Sequence, residues 1–249
     1  MSNEYIPERA MFVCAHPDDL EFGIAGTAAK WAANGCEVTY VVITDGNAGS
    51  HEEGMTRERI AEIRREEQRV AAAICGVQNV IFLGYDDGFL QPTLELRKKL
   101  VRLVRQYRPN VVGAMDPTNF FPSDEYINHP DHRAAGTATI DAVFPAAEMD
   151  LLYPDMAAEG LKGHKPNYVY LFFTAQEGIN LYVDTSDYVE TKIESLKAHV
   201  SQMGDWDPTD RIRAWAAESG KKVGFAAAER FRRITLKVPE SPKSEEESD

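Results

Sequence analysis

A chain of 249 residues that is 43% hydrophobic is long enough to bury a large core. Its formal charge of −13 argues against nucleic acid as the main partner, because phosphate binding needs a basic surface. No stretch approaches the roughly 18 apolar residues of a membrane span, and Cys14, Cys36 and Cys75 form no C-x-x-C pair, so buried reduced thiols are expected.

The polar start MSNEYIPERA does not resemble a signal peptide, which makes the cytoplasm the expected location. The apolar run 11–15 (MFVCA) predicts a buried strand. Residues 24–34 predict a helix ended by Gly35, and 37–44 (EVTYVVIT) a second strand. The stretch 56–75 carries Ile60, Ile63, Val70 and Ile74 near helical spacing, can be capped by Thr56, and stops at Gly76. A strand at 80–83 precedes an amphipathic helix at 93–107, which Pro109 ends. A strand at 111–114, a helix at 129–143, strands at 168–173 and 181–184, and a helix at 186–200 follow. Strands separated by helices of this length imply crossover units. The expected fold is therefore α/β: a Rossmann-like, mostly parallel sheet flanked by helices on both faces. Residues 1–238 read as one domain and 239–249 as an acidic solvated tail, whose last ten residues set five acids against Lys243.

Ligands bind outside the carboxyl ends of strands in such sheets. The first strand ends in AHPDDLEFG (15–23), and the fourth is followed by NHPDHRAAG (128–136). One His-Pro-Asp is more often a turn than a site, but two at strand ends are less easily dismissed. His16, Asp19 and His132 make a two-histidine, one-carboxylate set of the kind catalytic zinc uses, with a fourth position left for water. Asp18 and Asp19 are adjacent, so one can bind metal while the other takes a proton from water. His129 can polarise a carbonyl or stabilise an oxyanion, and Asp131 can hold that imidazole charged or simply favour a helix N-terminus. The metal itself stays open, since such sites accept several divalent ions.

The stretch AHPDDLEFGIAGT together with NHPDH resembles the LmbE-like (PIG-L) family of zinc-dependent N-deacetylases. ITDGNAGS (43–50), RREEQRVAAAICGV (64–77), YDDGFL (85–90), KAHVSQ (197–202) and AAERFRR (227–233) are similar to further family segments, so the resemblance reaches about residue 235. It implies Zn2+ on His16, Asp19 and His132, with Asp18 as general base and His129 as oxyanion partner oriented by Asp131. It also implies Arg64 as a sugar contact, Asp45 as a second contact or a turn-former, and His199 either at the site mouth or as a structural helix-end histidine. The bland reading of Arg64 is a helix-surface charge paired with Glu67. Some relatives place a tyrosine two residues before the second-motif histidine; here that position is Ile127, with Tyr126 beside it, which argues against a tyrosine role. The implied substrate is a small N-acetylglucosamine-type sugar or conjugate, with a different small amide or thiol-sugar conjugate as the alternative. A homo-oligomer is implied because several family members are hexamers. A nucleotide-binding module is disfavoured, because GIAGT lacks both G-x-G-x-x-G and a P-loop lysine. A metal-stabilised interaction protein would hold zinc without releasing acetate.

Overall fold

Alternating apolar and amphipathic stretches build a seven-stranded sheet in the computed structural model, which describes residues 5–238. The acidic tail lies outside the described residues. Strands β1 (Arg9–Cys14), β2 (Glu37–Thr44), β3 (Asn79–Tyr85), β4 (Val111–Met115) and β5 (Tyr168–Phe172) run parallel in the order β3-β2-β1-β4-β5. After β5 come β6 (Leu181–Asp184) and β7 (Ala228–Thr235), and β7 lies between β5 and β6, antiparallel to both. Every residue of β4 is buried, as continuous apolar parallel strands require when helices cover both faces.

The helices are α1 (Asp19–Gly23), α2 (Ala25–Ala33), α3 (Arg57–Ile74), α4 (Leu94–Tyr107), α5 (Pro130–Asp141), α6 (Pro154–Ala158), α7 (Val189–Lys197), α8 (Val200–Met203) and α9 (Thr209–Lys221). Thr56 and Thr93 cap α3 and α4, their hydroxyls accepting from the backbone N–H groups of Arg59 and Leu96, both at 3.2 Å. Helices α2 and α3 both pack against α7, while α4 and α5 form a second group that meets β1 and β4. No helix among the described residues is long and apolar enough to cross a membrane.

Several boundaries differ from the sequence expectation. The helix expected at 24–34 is preceded by the separate short α1. The helix expected at 186–200 is interrupted at Ala198 and His199, which separate α7 from α8. The helix expected at 129–143 leaves α-geometry after Asp141 and continues through a wider turn, Ala142–Ala147, that contains Pro145. Strand β7 has no strand signature in the sequence because AERFRRIT carries four charged residues; only one of its faces is buried, so it lacks the unbroken apolar run of the parallel strands.

Chain order along the sheet reverses at β1: β2 and β3 lie to one side of it, β4 and β5 to the other. The carboxyl ends of β1 and β4 therefore flank a topological switch point, where an open α/β sheet leaves a crevice. Both His-Pro-Asp segments leave the sheet there.

Candidate active site

The chain leaves β1 through a loop fixed at almost every residue. The backbone N–H of His16 donates to Asp19 Oδ2 at 2.7 Å. Arg64, on α3, donates from Nη2 to the Pro17 carbonyl at 2.7 Å and to Asp18 Oδ2 at 3.2 Å, and from Nη1 to the Gly46 carbonyl at 3.0 Å. A β-carbon at Gly46 would stand 2.4 Å from Arg64 Nη1, so that approach needs glycine. Asp18 adopts φ 93°, a left-handed conformation that costs a non-glycine residue about 1–3 kcal/mol and persists only where the surroundings enforce it.

His132 and His129 enter from the start of α5. His132 Nε2 lies 3.1 Å from Asp19 Oδ1, and His16 Nδ1 lies 3.5 Å from Asp19 Oδ2. The two imidazoles thus face different oxygens of one carboxylate, whose Oδ2 also accepts from the His16 N–H. The other ring nitrogen of His16, Nε2, faces Asp87 Oδ1 at 3.0 Å and Asp131 Oδ2 at 3.3 Å. That is the outer support a metal-bound imidazole requires: one nitrogen for the metal, the other donating to carboxylate. His16, His129 and His132 offer nitrogens within 4.8 Å of one another, and the Asp19 carboxylate lies against two of these rings, so nitrogen and oxygen donors of the kind a divalent ion takes converge here. His16 Nε2 with Asp87 and Asp131 also forms a close-set group. There, however, Asp131 already accepts from the Gly88 N–H at 2.7 Å and the Leu90 N–H at 3.2 Å, which marks it as a hydrogen-bonded brace.

The carboxylates are tuned apart. Burial pushes the Asp18 carboxyl up to about 6, against the pull of Arg64. For Asp19, burial acts in the same direction but His132 and His16 overcome it and hold the group well below the usual carboxylate range. Burial, with His16 and His132 nearby, lowers the pKa of His129.

This geometry corrects three expectations. The Asp131 carboxylate supports His16 and does not hold His129; His129 is oriented by the Asp131 backbone, whose N–H donates to Nδ1 at 3.2 Å. Asp45 lines neither cavity, and its carboxylate pairs with Arg65, which reaches Oδ1 through Nε at 2.8 Å and Oδ2 through Nη2, in keeping with the turn-forming alternative. His199 is fully buried away from the mouth, its Nε2 donating to Glu21 Oε2 at 3.1 Å. The bland pairing of Arg64 with Glu67 is also absent, for Glu67 accepts from the Ser201 N–H and hydroxyl.

Two cavities meet at the proposed metal ligands. The smaller, about 220 Å³, is lined by His16, Asp18, Asp19, Arg64, His129 and His132, together with Asp87 and Tyr126. The larger, about 620 Å³, shares Asp18, Asp19, Tyr126 and His132 and extends to Gln176, Trp215, Glu218 and Arg230. Phe173 stacks on the His132 ring with centroids 6.1 Å apart. Asp87 carries no site role in the sequence reading, and Tyr126, which the offset from the second-motif histidine argued against, nevertheless lines both cavities. Asp87 follows β3 in an Asp-Asp-Gly turn, so the strand-end rule alone could have found it. Tyr126 reaches the junction of the two cavities because residues 117–127 fold back over the site, which no periodicity announces.

Comparison with known proteins agrees with this geometry. The family model described as GlcNAc-PI de-N-acetylase (PIG-L) matches residues 11–143. The chain is 34% identical over 230 residues to diacetylchitobiose deacetylase of Thermococcus kodakarensis, covering 90% of this chain and 82% of the relative. It is 27% identical to a 1D-myo-inositol 2-acetamido-2-deoxy-alpha-D-glucopyranoside deacetylase of a Nocardioides species, covering 79% and 83%. The solved structure of N,N'-diacetylchitobiose deacetylase from Pyrococcus horikoshii, in complex with an inhibitor, superposes with a TM-score of 0.82 at 31% identity, covering 92% of this chain and 84% of that one. The chain belongs to the LmbE-like (PIG-L) family and is a metal-dependent N-deacetylase.

Proposed function

We propose that this enzyme removes the acetyl group from an N-acetylglucosamine unit within a sugar or conjugate, with zinc held by His16, Asp19 and His132. When bound there, zinc would polarise the amide carbonyl and acidify water. Asp18, beside the ligand set but not part of it, accepts the proton of the attacking water and passes it to the departing amine. His129 accepts the Asp131 N–H at Nδ1, so its Nε2 carries the proton and donates to the oxyanion of the tetrahedral intermediate. Arg64 has two nitrogens committed to carbonyls and to Asp18, so its part in the site is chiefly to hold Asp18, while Asp87 presents acceptor oxygens for sugar hydroxyls in the same cavity. The reacting unit occupies the smaller cavity, and the rest of the conjugate occupies the larger one. A homo-oligomer in the cytoplasm completes the reading; the exposed Phe89, Phe121, Ile127 and Leu151 supply apolar surface for association.

The observation that carries this proposal is the pairing of two adjacent carboxylates, one facing His132 and the other held by Arg64. Acetate release from a panel of N-acetylglucosamine conjugates tests it. Activity should vanish on chelation and return with zinc. Amine release without acetate would move the assignment to a different amide.

A further inference from the structure

Asp18 is held by its backbone as well as by its carboxylate. Its N–H donates to Gln68 Oε1 at 3.0 Å. The amide of Gln68 in turn donates from Nε2 to Glu21 Oε1 at 2.9 Å. The second oxygen of Glu21 accepts from His199 Nε2 at 3.1 Å. Gln68, Glu21 and His199 are all fully buried. The order of donors leaves the amide one orientation: its oxygen must face an N–H and its nitrogen a carboxylate. Gln68 lies four residues after Arg64 on α3, so one helix face presents both groups to Asp18. Arg64 fixes the carboxylate, and Gln68 fixes the peptide nitrogen at which the chain turns left-handed.

We propose that Gln68, locked by Glu21 and His199, is a positioning residue that holds Asp18 in its left-handed conformation and so aims the carboxylate that moves the proton. The proposal rests on the reading of Asp18 as the base. The relay ends at a backbone nitrogen beside the proposed metal ligand Asp19, yet none of its three side chains belongs to the ligand set. It accounts for two observations together: a buried carboxylate and histidine behind the site, and a non-glycine residue at φ 93° directly before Asp19. A residue that conformational preference would return to ordinary backbone stays strained because an amide acceptor stands at its N–H.

The test uses the zinc-loaded enzyme and its best acetylated substrate. Gln68→Leu keeps volume but can neither accept from Asp18 nor donate to Glu21. It should lower kcat about 10- to 100-fold, the usual result of misplacing a catalytic group by about 1 Å, with KM within about twofold and zinc content unchanged. Gln68→Glu alone sets a second carboxylate against Glu21 and should also lose kcat. Combining Gln68→Glu with Glu21→Gln rebuilds the relay: the new carboxylate accepts from Asp18 and from the new amide, whose oxygen accepts from His199. The pair should regain most of the lost kcat. A buried network that served stability alone would move the melting temperature in all three variants and leave kcat of the folded enzyme intact. The proposal is overturned if zinc-loaded Gln68→Leu has near-wild-type kcat, or if the combined change recovers nothing over Gln68→Glu. Should Gln68→Leu fail to fold, the single and paired exchanges decide by the same criterion. Asp18→Asn runs alongside: if it is fully active, the base assignment itself fails; if it is impaired while Gln68→Leu is not, only this inference fails.

Discussion

Three neighbouring aspartates meet at His16 and His132, and their surroundings give each a different task. Asp19 lies between the two imidazoles, Asp131 stands behind His16, and Asp18 turns away to Arg64. Amide substitution should separate them. Asp19→Asn should lose zinc on dialysis. Asp131→Asn should keep a zinc site weakened about 10- to 100-fold, the usual cost of removing the partner of a metal-bound imidazole. Asp18→Asn should retain a full equivalent of zinc while kcat falls about 10²–10⁴-fold. Zinc content by elemental analysis, read beside kcat, checks all three, and full zinc retention by Asp19→Asn would reverse the two adjacent carboxylates. The histidines and this acid pair were legible in the sequence because each motif is local and sits at a strand end. The tasks of Asp131, Asp45 and His199 were not legible, because the partners that decide them are residues 16, 65 and 21, brought close by packing that sequence spacing does not encode.

At the scale of elements, the stretch after α5 is the part of the fold with the least local logic and the most borrowed support. Residues 142–161 pass through a wide turn, a 3-10 turn and the short α6, without helical or strand periodicity. Their carbonyls turn inward to one side chain. Arg105 of α4 is almost completely buried and donates to the carbonyls of Ala146, Ala147, Met149, Tyr153 and Leu161 at 2.8–3.3 Å. Although the Ala147, Met149 and Tyr153 carbonyls also accept from the N–H groups of His164, Leu152 and Ala157, Arg105→Met removes five charge-assisted bonds from a buried site and should cost about 3–5 kcal/mol in urea unfolding. Arg102, one turn earlier, pairs with Glu159 at the surface, and Arg102→Met should cost far less than Arg105→Met. Equal costs would mean that the segment does not depend on the buried arginine. Helix periodicity predicted α4, but it could not show that Arg105 points inward, since an arginine in an amphipathic helix is read as solvated until its acceptors are known.

For the molecule as a whole, the switch point between β1 and β4 gathers the residues proposed for the chemistry, and later elements wall the larger cavity beside them. The parallel core supplies His16, Asp18 and Asp19 after β1, Asp87 after β3, and His129 and His132 after β4. The far wall of the larger cavity comes from α9 and β7, neither of which was read as an element from the sequence. On the proposed function, catalysis and specificity lie on different parts of the chain and should be separable by mutation. Trp215 stands in the α9 wall, about half exposed (51%), with the Arg211 guanidinium 5.7 Å from its ring centroid, and lines the same cavity as Glu218 and Arg230. An aromatic face beside such groups suits a sugar ring, and aromatic packing contributes about 0.5–1.5 kcal/mol beyond simple burial. Trp215→Ala should therefore lower kcat/KM for a β-linked disaccharide or aryl conjugate of N-acetylglucosamine up to about tenfold. Free N-acetylglucosamine, which fits within the smaller cavity, should be cleaved at an unchanged rate. Equal losses on both substrates would place Trp215 in the structural core of α9, and a loss confined to the monosaccharide would reverse the assignment of the two cavities.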